Sequence, residues 1–157
     1  MNECLQIEKS AARKNRAETV LLVEDEAFVR NAASEILQSA GYRVLMASNG
    51  MAAQRLYDEF GPKIDLLLTD MILPGENGGE LAARMRRQNP GLRVLFVTGY
   101  ADQIAVLKDA GEEYLLKPFC SEVLLRKVTE LMDEAGVQAD QVQADQDESF
   151  MPACVGA

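Results

Sequence analysis

Several side chains that can take part in chemistry stand where apolar stretches of this 157-residue sequence end. In chain order they are Glu24 with Asp25, Asp70, Thr98 and Lys117. Asp70 is the most informative, because the largely apolar residues 64–69 lead into it and Pro74 and Gly75 follow soon after. An open α/β sheet builds a reaction site where a buried strand delivers a carboxylate to its carboxyl end and then breaks. The pattern therefore predicts a site at one edge of a sheet, centred on Asp70.

Glu24, Asp25 and Asp70 would repel one another at neighbouring strand ends unless a cation compensates their charge. A ligand set made only of oxygen atoms favours a hard cation, and Mg²⁺ first. Taken alone, an acidic pair before a helix is usually a helix cap or a partner of the helix dipole. The magnesium hypothesis depends on the three carboxylates lying together.

Thr98 and Lys117 add a hydrogen-bond donor and a cation to the predicted site. The Thr98 hydroxyl can donate to a phosphoryl oxygen, although a strand-end threonine also often bonds its local backbone. The Lys117 ammonium can pair with an anion, and its neighbours Leu116 and Pro118 argue against a freely solvated charge. Cis bonds are only about 5–6% of X–Pro bonds in folded proteins, so the sequence does not predict one at Pro118.

The composition excludes several classes of function. The chain has no histidine, which rules out Ser-His-Asp and Cys-His nucleophiles and histidine metal sites. Any phosphohistidine chemistry must therefore use a histidine of another molecule. The net charge of −9 argues against nucleic-acid binding through the main body, since phosphate neutralisation needs clustered Lys and Arg.

The cysteine content and the hydropathy pattern both favour a cytoplasmic protein. The three cysteines are far apart and odd in number, which is typical of a reducing compartment rather than of a disulfide framework. Residues 1–18 contain no apolar segment of the signal-peptide type. No run approaches the roughly 20 apolar residues that cross a bilayer.

The apolar periodicity predicts five strands in strict alternation with five helices. The predicted strands are residues 19–23, 42–47, 64–69, 92–97 and 113–116, and the predicted helices are residues 27–40, 49–60, 78–88, 101–109 and 121–134. Strict alternation implies a parallel sheet covered by helices on both faces. The flavodoxin-like, doubly wound α/β fold with strand order 2-1-3-4-5 is the simplest arrangement. Its switch point lies between strands 1 and 3, which end at Asp25 and Asp70.

The domain prediction is a single domain over residues 19–134, with a flexible arm before it and an acidic low-complexity tail after it. The arm is residues 1–18 and the tail is residues 135–157. Residues 137–141 repeat without change as residues 142–146, and this period fits neither a helix nor a strand. A solvated disordered tail is the first interpretation, and an acidic contact segment or a helix extension is the alternative.

The four strand-end motifs together resemble the receiver domain of two-component response regulators, over roughly residues 19–134. The matching motifs are Val23-Glu24-Asp25, Thr69-Asp70-Met71-Ile72-Leu73-Pro74-Gly75 with Gly78 beyond it, Val97-Thr98-Gly99-Tyr100, and Leu116-Lys117-Pro118-Phe119. Each motif is weak alone, but all four occur in the family's order on the expected elements. The resemblance is to a chemotaxis-type, free-standing regulator, although the stretch around Thr98 also looks like receivers attached to hybrid sensor kinases.

The resemblance implies a role for each site residue. Asp70 would be the phosphoacceptor, taking the phosphoryl group from a phosphohistidine on a sensor histidine kinase or a histidine phosphotransfer protein. Mg²⁺ would be held by Glu24, Asp25, Asp70 and the backbone carbonyl of Ile72. Thr98 and Lys117 would contact the phosphoryl oxygens, and Thr98 and Tyr114 would form the switch. The chain would be a signalling switch rather than an enzyme, although it assists its own phosphoryl transfer and dephosphorylation.

The resemblance also implies how the signal leaves the domain. Residues 135–157 are too few and too polar for an output domain, so we expect signalling to pass through a protein contact at the face of the fourth helix, the fifth strand and the fifth helix. The alternative is that the chain is a fragment of a longer protein. Candidate contact residues are Leu107, Lys108, Tyr114 and Phe119. Direct DNA binding and membrane contact are not expected, and a homodimer is an option. Ile72 and Tyr100 offer no acid or amide to orient a water, so we expect slow hydrolysis of the phospho-aspartate.

Three alternatives compete with this hypothesis. A degenerate receiver would act as a phosphorylation-independent scaffold, but the acceptor, threonine and lysine are all present. A flavin or nucleotide binder would need a phosphate-cradling loop after the first strand, where this chain has the acidic residues 24–26. An aspartate-nucleophile phosphatase would need a second carboxylate two residues after Asp70, where Ile72 stands.

Overall fold

The computed structural model describes residues 17–134. The elements are β1 (Thr19–Val23), α1 (Ala27–Ser39), β2 (Arg43–Ala47), α2 (Gly50–Phe60), a 3₁₀ turn (Gly61–Lys63), β3 (Leu66–Asp70), β4 (Ile72–Leu73), β5 (Glu76–Asn77), α3 (Gly78–Gln88), β6 (Arg93–Thr98), α4 (Ala101–Asp109), β7 (Glu113–Leu116) and α5 (Ser121–Glu134). The predictions for residues 1–16 and for the acidic tail lie outside the described residues.

The main sheet has five strands in the order β2-β1-β3-β6-β7, and every neighbouring pair is parallel. This is the predicted doubly wound, flavodoxin-like order. β1 and β3 lie at its centre and are buried along their whole length. Such strands are apolar on both faces because helices cover the sheet on both sides.

Two apolar clusters fill the two sides of the sheet. Along β1, Leu21 and Val23 point to one cluster while Val20 and Leu22 point to the other, as the alternation of side chains along a strand requires. The first cluster holds the buried residues of α2, α3 and α4, and the second holds those of α1 and α5. Helices therefore pack on both faces of the sheet.

The predicted element bounds are correct to within one or two residues, with β1, α3, α4, β7 and α5 as predicted. β3 begins at Leu66 instead of residue 64, because Asp65 is used to close the start of β1. Its side chain accepts a hydrogen bond from the backbone N–H of Thr19 at 2.8 Å, and its own N–H donates to the Thr19 carbonyl at 2.9 Å.

The segment after Asp70 forms a hairpin where the sequence predicted neither a strand nor a helix. Ile72–Leu73 and Glu76–Asn77 pair as a short antiparallel hairpin. Gly75, at its turn, has a φ of +87°, a conformation that favours glycine. Asn77 then caps α3 through a capping box with Glu80.

The bond between Lys117 and Pro118 is cis. Within residues 17–134, no helix is both long and apolar enough to span a bilayer.

Candidate functional site

Backbone hydrogen bonds fix the candidate site residues at one edge of the sheet. Each strand ladder continues one residue beyond its strand: the Glu24 N–H donates to the Ala47 carbonyl at 3.1 Å, and the Lys117 N–H donates to the Thr98 carbonyl at 2.9 Å. Asp70 pairs in register with Val97 on β6. The topology therefore brings the carboxyl ends of β1, β3, β6 and β7 together, as the sequence predicted.

The acidic side chains of Glu24, Asp25 and Asp70 form a compact cluster. Each contributes one carboxylate oxygen, and the three oxygens lie within 4.8 Å of one another. Glu24 and Asp70 are buried, whereas Asp25 is exposed. A hard cation fits this set, because every ligand is an oxygen and the Asp25 side is open to solvent.

Lys117 lies between the two buried carboxylates. Its ammonium Nζ is 2.6 Å from Glu24 Oε1 and 2.9 Å from Asp70 Oδ2. One ammonium cannot compensate three carboxylates, so the cluster keeps a negative charge that favours a further cation. Lys117 is thus a structural counterion of the site, and it is close enough to act on a group bound to Asp70.

Burial and charge separate the pKa values of these groups. Burial raises the pKa of Asp70 to about 6, and the neighbouring Glu24 charge adds to this against the hydrogen bond from Lys117. Burial also raises the pKa of Glu24, but hydrogen bonds from Lys117 and from the Glu26 N–H outweigh it and hold that pKa below its ordinary value. Burial lowers the pKa of Lys117, yet its bonds to Glu24 and Asp70 raise it overall. Lys117 is therefore charged and Glu24 is the more strongly ionised carboxylate.

Arg30 supports the loop that carries the acidic pair, and the sequence analysis missed it. Its Nη1 donates to the Glu24 carbonyl at 2.8 Å and lies 3.5 Å from the Asp25 carbonyl. A basic residue one turn into a helix that follows an acidic pair was the available signal. The contact holds the loop by its main chain and does not use the carboxylates of the acidic pair.

The hairpin after Asp70 is also held by contacts that the sequence analysis missed. Arg84 on α3 makes a bidentate ion pair with Glu76, with Nη1 2.8 Å from Oε2 and Nη2 3.0 Å from Oε1. Gly50 makes room for Glu76, since a Cβ there would lie 1.8 Å from Glu76 Oε1. Gly78 makes room for Asp70, since a Cβ there would lie 2.2 Å from the Asp70 carbonyl oxygen. Together these contacts fix the segment that carries the Ile72 carbonyl.

Thr98 reaches the same sheet edge, but its hydroxyl is directed toward α4. The hydroxyl donates to Gln103 Oε1 at 2.5 Å and accepts from the Tyr100 N–H at 3.1 Å. The second bond is the local backbone contact that the sequence analysis weighed against a phosphoryl contact. Tyr114 is partly buried and packs against the cluster under α2, α3 and α4.

One of the predicted surface contacts, Leu107, is wrong, and Phe119 is less exposed than a surface contact needs to be on its own. Leu107 is only 4% exposed, because it is the residue by which α4 packs on the sheet. Phe119 is half-buried against the α1 and α5 cluster, on the other side of the sheet from α4. Lys108 is exposed, and so are the apolar side chains of Val106 on α4, Leu116 on β7 and Val123 on α5.

Sequence comparisons relate this chain to known proteins. The sequence model of the family described as the response regulator receiver domain matches residues 20–129. Sensor kinase CckA of Brucella abortus is 35% identical over 119 residues, which cover 74% of this chain and 13% of that protein. Across the first curated relatives, this chain spans between 13% and 55% of their length.

Solved structures agree in fold. A CheY-like response regulator receiver domain protein from Methanospirillum hungatei has a TM-score of 0.69 at 28% identity, covering 78% of this chain and 99% of that one. The response regulator protein TrrA from Thermotoga maritima, in complex with Mg²⁺ and BeF, has a TM-score of 0.66 at 30% identity. That match covers 73% of this chain and 98% of TrrA.

Proposed function

This chain belongs to the response regulator receiver domain family, and on that premise we propose that Asp70 accepts a phosphoryl group in a phosphorelay. One observation carries the proposal: a single buried strand end sets the Asp70 carboxylate against a lysine ammonium and two further carboxylates. Phosphoryl transfer needs mainly positioning and compensation of spreading charge, and this cluster offers both.

The transfer uses the Asp70 carboxylate as the nucleophile. One of its oxygens forms the new O–P bond while the N–P bond of a partner's phosphohistidine breaks, and that bond's electron pair returns to the imidazole nitrogen. With a pKa of about 6, Asp70 is ionised at neutral pH and can attack. Because these 157 residues contain no histidine, the donor histidine lies outside them, on a sensor histidine kinase or a histidine phosphotransfer protein.

Mg²⁺ would be held by Glu24, Asp25, Asp70 and the backbone carbonyl of Ile72. When bound, it supplies positive charge that offsets the negative charge spreading over the phosphoryl oxygens. Lys117 keeps Glu24 ionised and, at 2.9 Å from Asp70 Oδ2, can pair with a phosphoryl oxygen on that carboxylate. Arg30 holds the loop of the acidic pair in place through its main chain.

Thr98 and Tyr114 would couple phosphorylation of Asp70 to a conformational change at the surface. For the Thr98 hydroxyl to reach a phosphoryl oxygen it must leave Gln103, and Tyr114 on the neighbouring strand β7 would follow. The output face would be formed by α4, β7 and α5, with Val106, Lys108 and Leu116 exposed on it. A downstream protein is the expected partner of this face.

Intact mass spectrometry tests the proposal. The full chain is incubated with Mg²⁺ and acetyl phosphate, and we expect one phosphoryl adduct that is lost in Asp70→Asn and when Mg²⁺ is removed with EDTA. Asp109→Asn, at an exposed position that ends α4, is the matched control and should be modified like the wild type. Absence of an adduct on the wild type would favour a phosphorylation-independent scaffold instead.

A further inference from the structure

The hydrogen bonds that Thr98 makes in this structure compete with its proposed bond to a phosphoryl oxygen on Asp70. Its single hydroxyl proton is donated to Gln103 Oε1, and the same oxygen accepts from the Tyr100 N–H. Thr98 is only 2% exposed, so bulk water does not compete for these bonds. A hydroxyl donates one hydrogen bond at a time. The Thr98 proton can therefore serve either Gln103 or a phosphoryl oxygen on Asp70.

Gln103 stands in the first turn of α4, which is the most weakly anchored helix of the described residues. α4 has nine residues and a single buried one, Leu107, whereas α1, α2 and α3 each bury three or four. The side chain of its N-cap residue, Tyr100, makes no capping hydrogen bond. The bond from Thr98 to Gln103 is thus a side-chain tie between the end of β6 and the start of α4.

We propose that Gln103 is a positioning residue that holds Thr98 in the unphosphorylated conformation. The proposal rests on the proposed function of Asp70 and deepens it. Phosphorylation must break the Thr98–Gln103 bond, and the break releases the first turn of α4. Gln103 therefore lowers the affinity of the site for a phosphoryl group and, in the same step, couples that group to α4.

The two substitutions of Gln103 have effects of opposite sign. Gln103→Ala removes the competing acceptor, so Thr98 is free to donate to the phosphoryl oxygen. Gln103→Glu keeps an acceptor at the same place and makes it ionised, which strengthens the hydrogen bond to Thr98. A net hydrogen bond changes an equilibrium by about two- to tenfold, so we expect shifts of that size, upward for alanine and downward for glutamate.

The experiment measures beryllofluoride binding to the full chain in the presence of Mg²⁺, followed by NMR titration. The wild type, Gln103→Ala and Gln103→Glu are compared, with Asp102→Ala in the same turn of α4 as the matched control. Binding of Mg²⁺ alone is measured for each variant. Because Thr98 is not a proposed metal ligand, the Mg²⁺ affinity should stay at the wild-type value, a result that general damage to the site would not give.

A double-mutant cycle isolates the contact. In a Thr98→Ala background, Gln103→Ala should no longer change beryllofluoride affinity, since the bond it removes is already absent. The same affinity shift with and without Thr98 would overturn the proposal, and so would wild-type affinity in both Gln103 variants. If Gln103→Ala does not fold, the cycle is run with Gln103→Glu, and its decrease should be smaller in the Thr98→Ala background than in the wild type, because only the part due to the hydrogen bond is then lost. A wild type that binds Mg²⁺ but no beryllofluoride would instead overturn the proposed function and this inference with it.

Discussion

Ionisation of Asp70 lowers the free energy of unfolding of the protein. Burial raises its pKa to about 6, above the ordinary value of 3.8. Between those two values the native state binds a proton that the unfolded state has released, so the free energy of unfolding falls as the pH rises through this window. A carboxylate that must be reactive at neutral pH therefore destabilises the protein in which it sits, until a cation or a phosphoryl group joins it.

Asp70→Asn should stabilise the Mg²⁺-free protein. The amide cannot ionise, so the free energy of unfolding near neutral pH should rise by about 1–3 kcal/mol, at roughly 1.4 kcal/mol per pKa unit. The gain should shrink as the pH falls to about 4, where Asp70 is protonated in the native state. Urea denaturation at several pH values measures it, with Asp109→Asn as the control. A gain that does not depend on pH would contradict the assignment of the raised pKa to Asp70.

Ile72 and Tyr100 should give the phospho-aspartate a long lifetime. Both side chains are exposed beside the site and neither can orient a water for attack on phosphorus. We expect Ile72→Asn with Tyr100→Glu to speed the loss of phosphate by about tenfold, which corresponds to roughly 1.4 kcal/mol of barrier. A phosphate-release time course on purified phosphorylated protein measures it. Fast release from the wild type would contradict the prediction.

At the scale of elements, the hairpin after Asp70 depends on Gly78, which leaves space for the backbone of Asp70. A Cβ on Gly78 would lie 2.2 Å from the Asp70 carbonyl oxygen, which belongs to the backbone and cannot simply rotate away. A Cβ on Gly91, by contrast, would meet only Asn89 Oδ1 at 3.7 Å, an ordinary contact.

Gly78→Ala should therefore displace the strand end that carries Asp70. We expect a loss of about 1–3 kcal/mol in the free energy of unfolding, the usual cost of forcing extra atoms into a packed region, and a weaker Mg²⁺ affinity. Denaturation and Mg²⁺ titration measure the two effects, and Gly91→Ala should change neither. Equal behaviour of the two variants would show that the close approach at Gly78 does not position Asp70.

Periodicity predicted the strands of the main sheet because each has at least four residues and carries apolar side chains that pack against the helices. It missed the β4–β5 hairpin because two-residue strands carry no period. It also missed the pairing of Glu76 with Arg84 and of Thr98 with Gln103, because polar contacts between elements depend on side-chain positions that spacing does not fix. The site residues were predicted since parallel strands bring their carboxyl ends to one edge, whereas the direction of the Thr98 hydroxyl needed coordinates.

For the whole molecule, the unequal anchoring of the helices predicts where a signal appears. The sheet is buried between two apolar clusters, so a change at Asp70 cannot easily move α2 or α3, which each bury at least three residues. α4 buries only Leu107, and its first turn is tied to Thr98. Movement should follow the least stable element that contacts the site.

Hydrogen–deuterium exchange with and without beryllofluoride, in constant Mg²⁺, measures this response. We expect backbone amides of α4 and of the adjacent β7 to change exchange by about threefold or more, a shift of at least roughly 0.65 kcal/mol. Amides of α2 should stay within error, since that helix packs on the same side of the sheet without a bond to Thr98. In Thr98→Ala the difference at α4 should disappear while the protein stays folded. A uniform change across all the helices would mean that the ligand stabilises the whole domain and does not act through α4.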